Sequence, residues 1–213
     1  MYKNYIKRFI DILVGLVGCI GFLIAFVFVA PVIYLTDKGP VFYIADRRGM
    51  NGKNFKMYKF RSMYVNSPNL LNADGSTYNG DDDPRVTKIG RILRKTSVDE
   101  LPQFINVLKG DMSLIGPRPN NATKPYEELD EIGKKRLRVR PGITGYNQAY
   151  FRNSVTSAEK YKNDCYYVDN VSFMLDVKII FKTVETVIAR KNVYVSQDGP
   201  VKEEPAKTES SVK

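Results

Sequence analysis

The longest apolar segment of the chain lies near its N-terminus. No charged residue occurs from Ile12 to Leu35, and the segment is rich in Leu, Ile, Val, Phe, Gly and Ala. A helix of this length, rising about 1.5 Å per residue, would extend roughly 36 Å, which is enough to reach across a hydrocarbon core. The apolar part is too long for a secretory signal peptide, and no polar cleavage region follows it. The pattern therefore predicts a membrane-inserted helix.

Two features of this segment favour a helix that enters the membrane and returns to the same side. Pro31 follows Ala30 inside the apolar run, where a proline removes a backbone hydrogen bond and kinks or breaks a helix. Both flanks are basic, and the positive-inside tendency would keep both in the cytoplasm. The basic residues are Lys3, Lys7 and Arg8 before the segment, and Lys38, Arg47, Arg48, Lys53, Lys56, Lys59 and Arg61 after it. We expect a re-entrant helix broken at Ala30-Pro31; a single spanning anchor bent at Pro31 remains the alternative.

The pattern downstream of this segment predicts an α+β domain that is mostly helical. Loose alternation on both sides of Asn51-Gly52, a turn signal, indicates a hairpin with strands over residues 41–44 and 55–60. Apolar residues at helical spacing are found over residues 86–94, 97–109, 125–138 and 166–190. The last of these helices is amphipathic, and either packs on the core or lies at the membrane surface.

Composition narrows the chemistry that this domain can perform. The chain has 33 basic and 23 acidic residues, giving a net charge of +10, which favours an anionic partner. It contains no histidine, which removes imidazole bases, Ser-His and Cys-His nucleophile pairs and most zinc sites. Catalysis must then rest on carboxylates, Lys, Arg, Tyr, hydroxyls and oxygen-ligated metals, among which Mg²⁺ fits best.

Two adjacent carboxylates, Asp99 and Glu100, open the predicted helix over residues 97–109. Ser97 and Glu100 form an S-x-x-E pattern, so the acids have a structural explanation as a capping box at a helix N-terminus. Their setting among arginines suggests a chemical role as well. One carboxylate would attack a phosphorus atom whose charge the arginines neutralise, while the other would hold Mg²⁺ on the same phosphates.

Arginines surround this segment in the sequence. Arg118 and Arg140 lie in proline-flanked turns, and loops fixed in this way often position functional groups. Arginine is also the planar donor suited to bidentate phosphate contacts. The candidate phosphate-binding residues are Arg94, Arg118, Arg140 and Arg152, together with Lys59. A rival metal site is the acidic run Asp81-Asp82-Asp83, although acids in a polar loop before a proline are most often only solvated.

A set of motifs in a fixed order resembles one family. Their sequences are Tyr58-Lys59-Phe60-Arg61-Ser62-Met63, Ser97-Val98-Asp99-Glu100-Leu101-Pro102-Gln103, Asn106-Val107-Leu108-Lys109-Gly110-Asp111-Met112-Ser113, Gly116-Pro117-Arg118-Pro119 and Val139-Arg140-Pro141-Gly142-Ile143-Thr144-Gly145. With the basic N-terminus and the proline-containing apolar helix, they resemble the bacterial sugar transferases, specifically the small monotopic polyprenyl-phosphate phosphoglycosyl transferases. The likeness covers roughly residues 1 to 190.

The resemblance implies a reaction and a role for each matching residue. Such enzymes transfer a sugar-1-phosphate from a UDP-sugar to undecaprenyl phosphate, release UMP, and begin the synthesis of capsule, exopolysaccharide, O-antigen or glycoprotein glycans. By this likeness Asp99 would be the nucleophile that carries the phosphosugar and Glu100 the Mg²⁺ ligand. Arg94, Arg118 and Arg152 would contact phosphate. The membrane bilayer would be a further partner, and nucleic acid would not.

The resemblance also suggests how the chain is divided. Residues 1–36 would form the membrane-inserted helix, residues 37–195 a compact catalytic domain, and residues 196–213 a disordered tail, since these last residues are almost without apolar side chains. The catalytic domain would lie on the cytoplasmic face of the inner membrane.

Two other functions remain open. The first is a membrane-associated glycosyltransferase that binds a metal through Asp81-Asp82-Asp83 and releases UDP. The second is a basic, membrane-tethered module that binds nucleic acid or an acidic polymer without turnover, and whose binding would weaken with salt.

Overall fold

The computed structural model describes residues 1–71, 78, 80, 82–122, 124–151, 154–188 and 202–204. After a π-helical turn at Tyr2–Ile6, the helices are α1 (Lys7–Asp37), α2 (Lys88–Thr96), α3 (Gln103–Lys109), α4 (Glu131–Arg136), α5 (Tyr146–Tyr150), α6 (Ser157–Asp169) and α7 (Phe173–Ile188). The strands are β1 (Phe42–Arg48), β2 (Asn54–Phe60), β3 (Asn69–Leu71), β4 (Ser113–Ile115), β5 (Gly142–Thr144) and β6 (Lys202–Glu204). The predicted mostly helical α+β class is confirmed.

One face of α1 packs lengthwise against the rest of the protein. A Cβ atom on Gly18 would lie 2.3 Å from the ring of Phe104 in α3, so this glycine permits the close approach of the two helices. Further along, Phe22 and Phe26 pack on Phe42 and Phe60 of the hairpin, with ring centroids 5.6 to 6.4 Å apart. The opposite face of α1 exposes large apolar side chains, and α1 is the one described helix long and apolar enough to cross a membrane.

Polar contacts near the N-terminal end of α1 fix it to the domain. Arg8 donates to the carbonyl oxygens of Val107 at 2.6 Å and Leu108 at 2.9 Å, in the last turn of α3. Asp11 is 2% exposed and accepts hydrogen bonds from the hydroxyl of Ser113 and the amide of Leu114. A charged residue inside a folded interface is stable only when paired in this manner.

Two ion pairs tie the two ends of α1 to different parts of the same domain. Lys7 lies 2.7 Å from the carboxylate of Asp176 in α7. At the other end, Asp37 lies 2.5 Å from the guanidinium of Arg61, which follows β2. Both ends of this 31-residue helix therefore contact one folded body.

The helix continues through Pro31 to Asp37, so the expected break at Ala30-Pro31 does not end it. Ala30 and Ile33 are buried against the domain on either side of the proline, and Asp37 is held by Arg61. These tertiary contacts keep the last turns helical despite the hydrogen bond that the proline cannot donate.

The predicted hairpin is confirmed. Strands β1 and β2 pair antiparallel, from Phe42 with Phe60 to Arg48 with Asn54, and a 3-10 turn at Met50–Gly52 joins them. Asn51 and Gly52 both have positive φ, at 55° and 80°, which is the conformation that these two residue types tolerate best. The hairpin is longer than the residues 41–44 and 55–60 expected from alternation alone.

A second core lies towards the C-terminus. Strands β4 and β5 pair in parallel, and α6 and α7 cover them; the buried residues are Ile115, Val139, Ala149, Tyr167, Val168 and Ile179. The single helix expected over residues 166–190 was wrong, because Asn170 ends α6 and the chain turns before α7 begins. The helix expected over residues 125–138 is reduced to α4, which begins only where Asp130 caps it through the amide of Gly133.

In the tail that was expected to be disordered, Lys202–Glu204 pairs antiparallel with β3. The remainder of residues 196–213 lies outside the described part of the chain.

The close contact of α1 with α3 gives a testable prediction. Gly18→Ala should destabilise the protein by about 1–3 kcal/mol, because its methyl group would overlap the ring of Phe104. Gly21→Ala is the matched control, since a Cβ there meets nothing within 4 Å and alanine favours a helix by up to about 1 kcal/mol. Thermal unfolding in detergent, followed by circular dichroism, measures both. Equal melting temperatures for the two variants would contradict the packing described.

Candidate active site

The acidic pair lies in a short turn between two helices. Helix α2 ends at Ser97, whose φ of 58° is left-handed, and a 3-10 turn at Val98–Glu100 follows before α3 begins at Gln103. A left-handed conformation at a residue other than glycine costs on the order of 1 kcal/mol, so the surrounding contacts must hold Ser97 there. This reversal separates the acidic turn from α2 and directs it towards β2.

The predicted capping box of Ser97 and Glu100 was wrong. The Ser97 side chain makes no capping hydrogen bond, and its own amide donates to Arg94, so Ser97 terminates α2 and does not begin α3. The Glu100 carboxylate faces cations: it lies 2.6 Å from Nζ of Lys59 and 3.8 Å from Nη1 of Arg118. A charge-assisted bond to a lysine is stronger than a bond to a neutral backbone amide, which explains why Glu100 binds Lys59 and does not cap the helix.

Asp99 is only 9% exposed and sits among charges of both signs. Burial is the largest influence and raises the pKa of its carboxyl to about 6, from an ordinary value of 3.8. The positive charge of Lys59 opposes this rise, the neighbouring Glu100 adds to it, and Arg94 and Arg118 oppose it. Asp99 is therefore a desolvated carboxylate that still ionises near neutral pH.

Each cation reaches the acidic turn from a separate element. Lys59 lies near the end of β2, Arg118 follows β4 in the Gly116-Pro117-Arg118-Pro119 turn, and Arg94 comes from α2. Nε of Arg94 donates to the hydroxyl of Ser62 at 2.9 Å, which orients the guanidinium. The structure thus brings together five of the predicted site residues, which are Lys59, Arg94, Asp99, Glu100 and Arg118.

One predicted phosphate ligand, Arg140, is not part of this group. Nε of Arg140 donates to the carbonyl of Gly110 at 2.8 Å, so this arginine binds the end of α3 away from the acidic turn. The prediction that Arg140 binds phosphate is not supported by this contact, because the helix terminus already provides its acceptor. Arg152 lies outside the described residues.

The rival acidic run does not form a metal site in the part of the chain that is described. Asp83 is completely buried and binds Arg85 through both of its oxygens, at 2.9 and 2.7 Å. Asp82 accepts a hydrogen bond from the hydroxyl of Tyr78 at 2.6 Å, and Asp81 lies outside the described residues. The interpretation of Asp83 as a metal ligand was wrong, because a carboxylate that neutralises a buried arginine cannot leave it unpaired cheaply.

The carboxylates of the acidic turn fit Mg²⁺ in one of its usual binding modes. No group of three or more acidic or cysteine side chains suited to a metal occurs among the described residues. Mg²⁺, however, is commonly held by one or two carboxylates together with substrate phosphates and water, and does not need a cage of protein ligands. Glu100, with Asp99 beside it, offers that arrangement.

Asn106 is a positioning residue that the sequence reasoning missed. It is fully buried in α3, accepts a hydrogen bond from the amide of Tyr58 at 3.1 Å, and donates to the carbonyl of Lys56 at 2.7 Å. These bonds fix β2 to α3, and so fix Lys59 relative to the acidic turn that precedes α3. The signal in the sequence was an asparagine next to the apolar stripe of that helix.

Comparison with known proteins identifies the class. The family model of the bacterial sugar transferases matches residues 2–190, which is most of the chain. The chain therefore belongs to the bacterial sugar transferase family, as the order of its motifs indicated.

Three relatives illustrate the range of this family. The chain is 42% identical over 190 residues to the galactosyl transferase CpsE of Streptococcus agalactiae serotype III (strain NEM316), covering 85% of this chain and 42% of that protein. It is 42% identical over 189 residues to a UDP-N-acetylgalactosamine-undecaprenyl-phosphate N-acetylgalactosaminephosphotransferase of Aeromonas hydrophila, covering 86% and 44%. It is 37% identical over 199 residues to the exopolysaccharide production protein ExoY of Sinorhizobium fredii (strain NBRC 101917 / NGR234), covering 88% of each. The chain thus spans less than half the length of the first two relatives.

The raised pKa of Asp99 predicts a stability change with a defined pH window. The folded-state pKa of about 6 exceeds the value near 3.9 expected in the unfolded chain, so ionising Asp99 destabilises the fold increasingly from about pH 4 to about pH 6. Asp99→Asn should therefore raise the melting temperature above pH 6, corresponding to at most about 3 kcal/mol, with the gain vanishing near pH 4.

Thermal unfolding across this pH range tests the prediction. Asp46→Asn, at an exposed position of β1, is the control and should change the melting temperature little at any pH. The description of Asp99 as a desolvated carboxylate fails if Asp99→Asn melts no higher than the wild type at pH 7.5.

Proposed function

We propose that this protein transfers a sugar-1-phosphate from a UDP-sugar to undecaprenyl phosphate and releases UMP, as the first step of a surface glycan. The observation that carries the proposal is the buried Asp99, flanked by Glu100 and approached by Lys59, Arg94 and Arg118. The names of relatives agree with it, since the Aeromonas protein is named for both a UDP-sugar and undecaprenyl phosphate.

The first half-reaction forms a phosphosugar on the enzyme. An oxygen of Asp99 attacks the β-phosphorus of the UDP-sugar, and the bond between that phosphorus and the bridging oxygen breaks, with its electron pair leaving on UMP. Burial leaves the attacking oxygen poorly solvated, and its pKa of about 6 keeps it ionised at neutral pH. Lys59 and Arg118 approach the turn from the side of Glu100 and would stabilise the charge that develops on the phosphate oxygens.

The second half-reaction frees the enzyme. A phosphate oxygen of undecaprenyl phosphate attacks the phosphorus held by Asp99, the bond from that phosphorus to the carboxylate oxygen breaks, and undecaprenyl diphosphate sugar is released. Glu100 would hold Mg²⁺, and this ion when bound supplies further neutralisation of the phosphate charge. Lys59, now paired with Glu100, would then turn to phosphate.

The contacts of α1 support a monotopic attachment, which we assign to the cytoplasmic face of the inner membrane because basic residues flank the helix on both sides. Lys7 and Asp37, at the two ends of α1, are bound to the same folded domain, whereas a helix spanning a hydrocarbon core of about 30 Å would place its ends on opposite sides. The apolar side chains exposed along α1 require a hydrocarbon environment. These observations favour attachment of α1 to one side of the membrane over a spanning anchor.

Helix α7 is proposed to lie at the membrane interface. It exposes Phe173, Met174, Phe181 and Val184, while Asp176 on its other face binds Lys7 and the hydroxyl of Tyr2 near the start of α1. A helix with one apolar exposed face beside an inserted helix is suited to contact the headgroup and acyl boundary.

The two alternatives are less well supported. A metal-dependent glycosyltransferase acting through Asp81-Asp82-Asp83 would need the carboxylate of Asp83, which is engaged with Arg85. If the protein were only a basic binding module, the burial of Asp99 would have no functional explanation. Product analysis separates the enzymes, because the proposed reaction releases UMP and the alternative releases UDP.

A trapping experiment tests the covalent step. Detergent-solubilised protein, incubated with Mg²⁺ and a UDP-sugar labelled at the β-phosphate but without lipid acceptor, should retain label on Asp99. Asp99→Asn should lose the label and lower turnover by at least about 1,000-fold, because it removes the nucleophile. Asp46→Asn is the control and should be labelled normally. Turnover of Asp99→Asn near the wild-type rate would rule out this mechanism.

Labelling from each side of the membrane tests the topology. Single cysteines are introduced as Lys3→Cys and Pro40→Cys, both at exposed positions, after Cys19 and Cys165 are replaced by serine. Both sites should react with a membrane-impermeant maleimide only in inverted vesicles, where the cytoplasmic face is outward. Reaction of the two sites from opposite faces would establish a spanning anchor instead.

A further inference from the structure

Arg47 is partly buried and lacks the carboxylate partner that three more deeply buried arginines of this protein have. Its Nε is inaccessible to solvent and has no hydrogen-bond partner among the described residues, and none of the described carboxylates forms an ion pair with it. Arg61, Arg85 and Arg136, by contrast, are each paired with an aspartate. The Nε of Arg61 is unpartnered as well, but its guanidinium is neutralised by Asp37. What distinguishes Arg47 is a partly buried positive charge without a carboxylate beside it among the described residues, which suits an anionic ligand.

The backbone places Arg47 beside the segment that carries Arg118. Arg47 forms an isolated antiparallel bridge with Asn121, and the amide of Arg48 donates to the carbonyl of Asn120 at 2.9 Å. The end of β1 therefore runs along the residues that directly follow the turn containing Arg118, and Arg118 in turn reaches Glu100 at 3.8 Å.

The neighbouring Arg48, also at the end of β1, is an arginine with a structural role. Side chains alternate between the two faces of a strand, so Arg47 and Arg48 point in opposite directions. Arg48 is buried and donates to the carbonyl oxygens of Gly52 and Lys124, which hold the tip of the hairpin against the following loop. Arg47 makes no such bonds with the described part of the chain.

Arg47 and Arg118 are two positively charged side chains whose charge is only partly balanced by a carboxylate. Burial lowers the pKa of the Arg47 guanidinium, and the positive charge of Arg118 acts in the same direction. Glu100 lies near Arg118 but is shared with Lys59, at 2.6 Å. A phosphate group would offset the repulsion between the two guanidinium groups and supply the acceptor that Arg47 lacks.

We propose that Arg47, with Arg118, binds the phosphate on the leaving side of the transferred phosphorus; this inference rests on the proposed function. Attacking and leaving oxygens lie roughly in line in phosphoryl transfer, so the leaving nucleotide phosphate lies on the far side of that phosphorus from Asp99. Arg118 reaches Glu100 of the acidic turn, and Arg47 adjoins the segment that follows Arg118, so the proposal assigns Arg47 to the side away from the nucleophile.

The same position serves both substrates in turn. Undecaprenyl phosphate must attack opposite the bond between phosphorus and Asp99, which is the direction in which UMP left. The lipid phosphate therefore occupies the place that the nucleotide phosphate has vacated, and the two guanidinium groups bind either one.

Binding measurements on the full chain in detergent, with Mg²⁺ present, test this inference. Calorimetric titrations with UMP and, separately, with a short-chain polyprenyl phosphate compare the wild type, Arg47→Met, Arg47→Lys and Arg138→Met. Loss of a charge-assisted contact should weaken both ligands by about tenfold in Arg47→Met, and less in Arg47→Lys, which keeps the charge but loses the planar donors. Arg138→Met, at an exposed site, is the matched control and should bind as the wild type does.

Stability separates ligand binding from a structural role. Arg47→Met removes an unpartnered buried donor and its repulsion with Arg118, so this variant should melt at least as high as the wild type without ligand. A lower melting temperature together with unchanged affinity for UMP would overturn the proposal, and weakening of only one of the two ligands would overturn the shared position. Binding needs no turnover, so the two proposals can fail separately. If the trapping experiment puts no label on Asp99 but Arg47→Met still loses affinity for UMP, the covalent mechanism is rejected and the phosphate site is kept.

Discussion

The packing of one face of α1 on the folded domain is the contact on which the rest of the structure depends. Gly15 and Gly18 allow α3 to approach closely, and the phenylalanines further along the helix meet the hairpin. Helix α3 follows directly from the turn with Asp99 and Glu100, and the hairpin carries Lys59. The helix proposed to face a hydrocarbon phase is thus also the surface on which the elements of the candidate active site are assembled, so in the proposed attachment the membrane forms part of the surroundings of this site.

The active site is a balance between desolvation and charge. Burial raises the pKa of the Asp99 carboxyl, and the adjacent Glu100 works in the same direction. Lys59, Arg94 and Arg118 return enough positive potential to leave the pKa near 6. The outcome is a carboxylate that is ionised when required but poorly solvated, in a protein that has no histidine to serve as an alternative base.

Features that depend on residues close together in the sequence were predictable, and features that depend on distant partners were not. The Asn51-Gly52 turn was predictable because it depends on two residue types that tolerate positive φ. The membership of Asp99, Glu100, Lys59, Arg94 and Arg118 in one site came from the order of motifs. Periodicity and spacing do not reveal partners that are distant in sequence. Such partners explain the failure of the predicted capping box, the contact between Arg140 and Gly110, the role of Asn106 and the proposed role of Arg47.

The hydrogen bonds from Arg8 to the last carbonyls of α3 have a mechanical consequence. Helix α3 has only seven residues and connects this anchoring point to the acidic turn over roughly 10 Å. In the proposed one-sided attachment, α1 would tilt or shift in depth when the thickness or packing of the lipid layer around its exposed apolar face changes. Arg8 would transmit such a shift through α3 to Asp99, so lipid chain length and order would tune the rate of the proposed reaction.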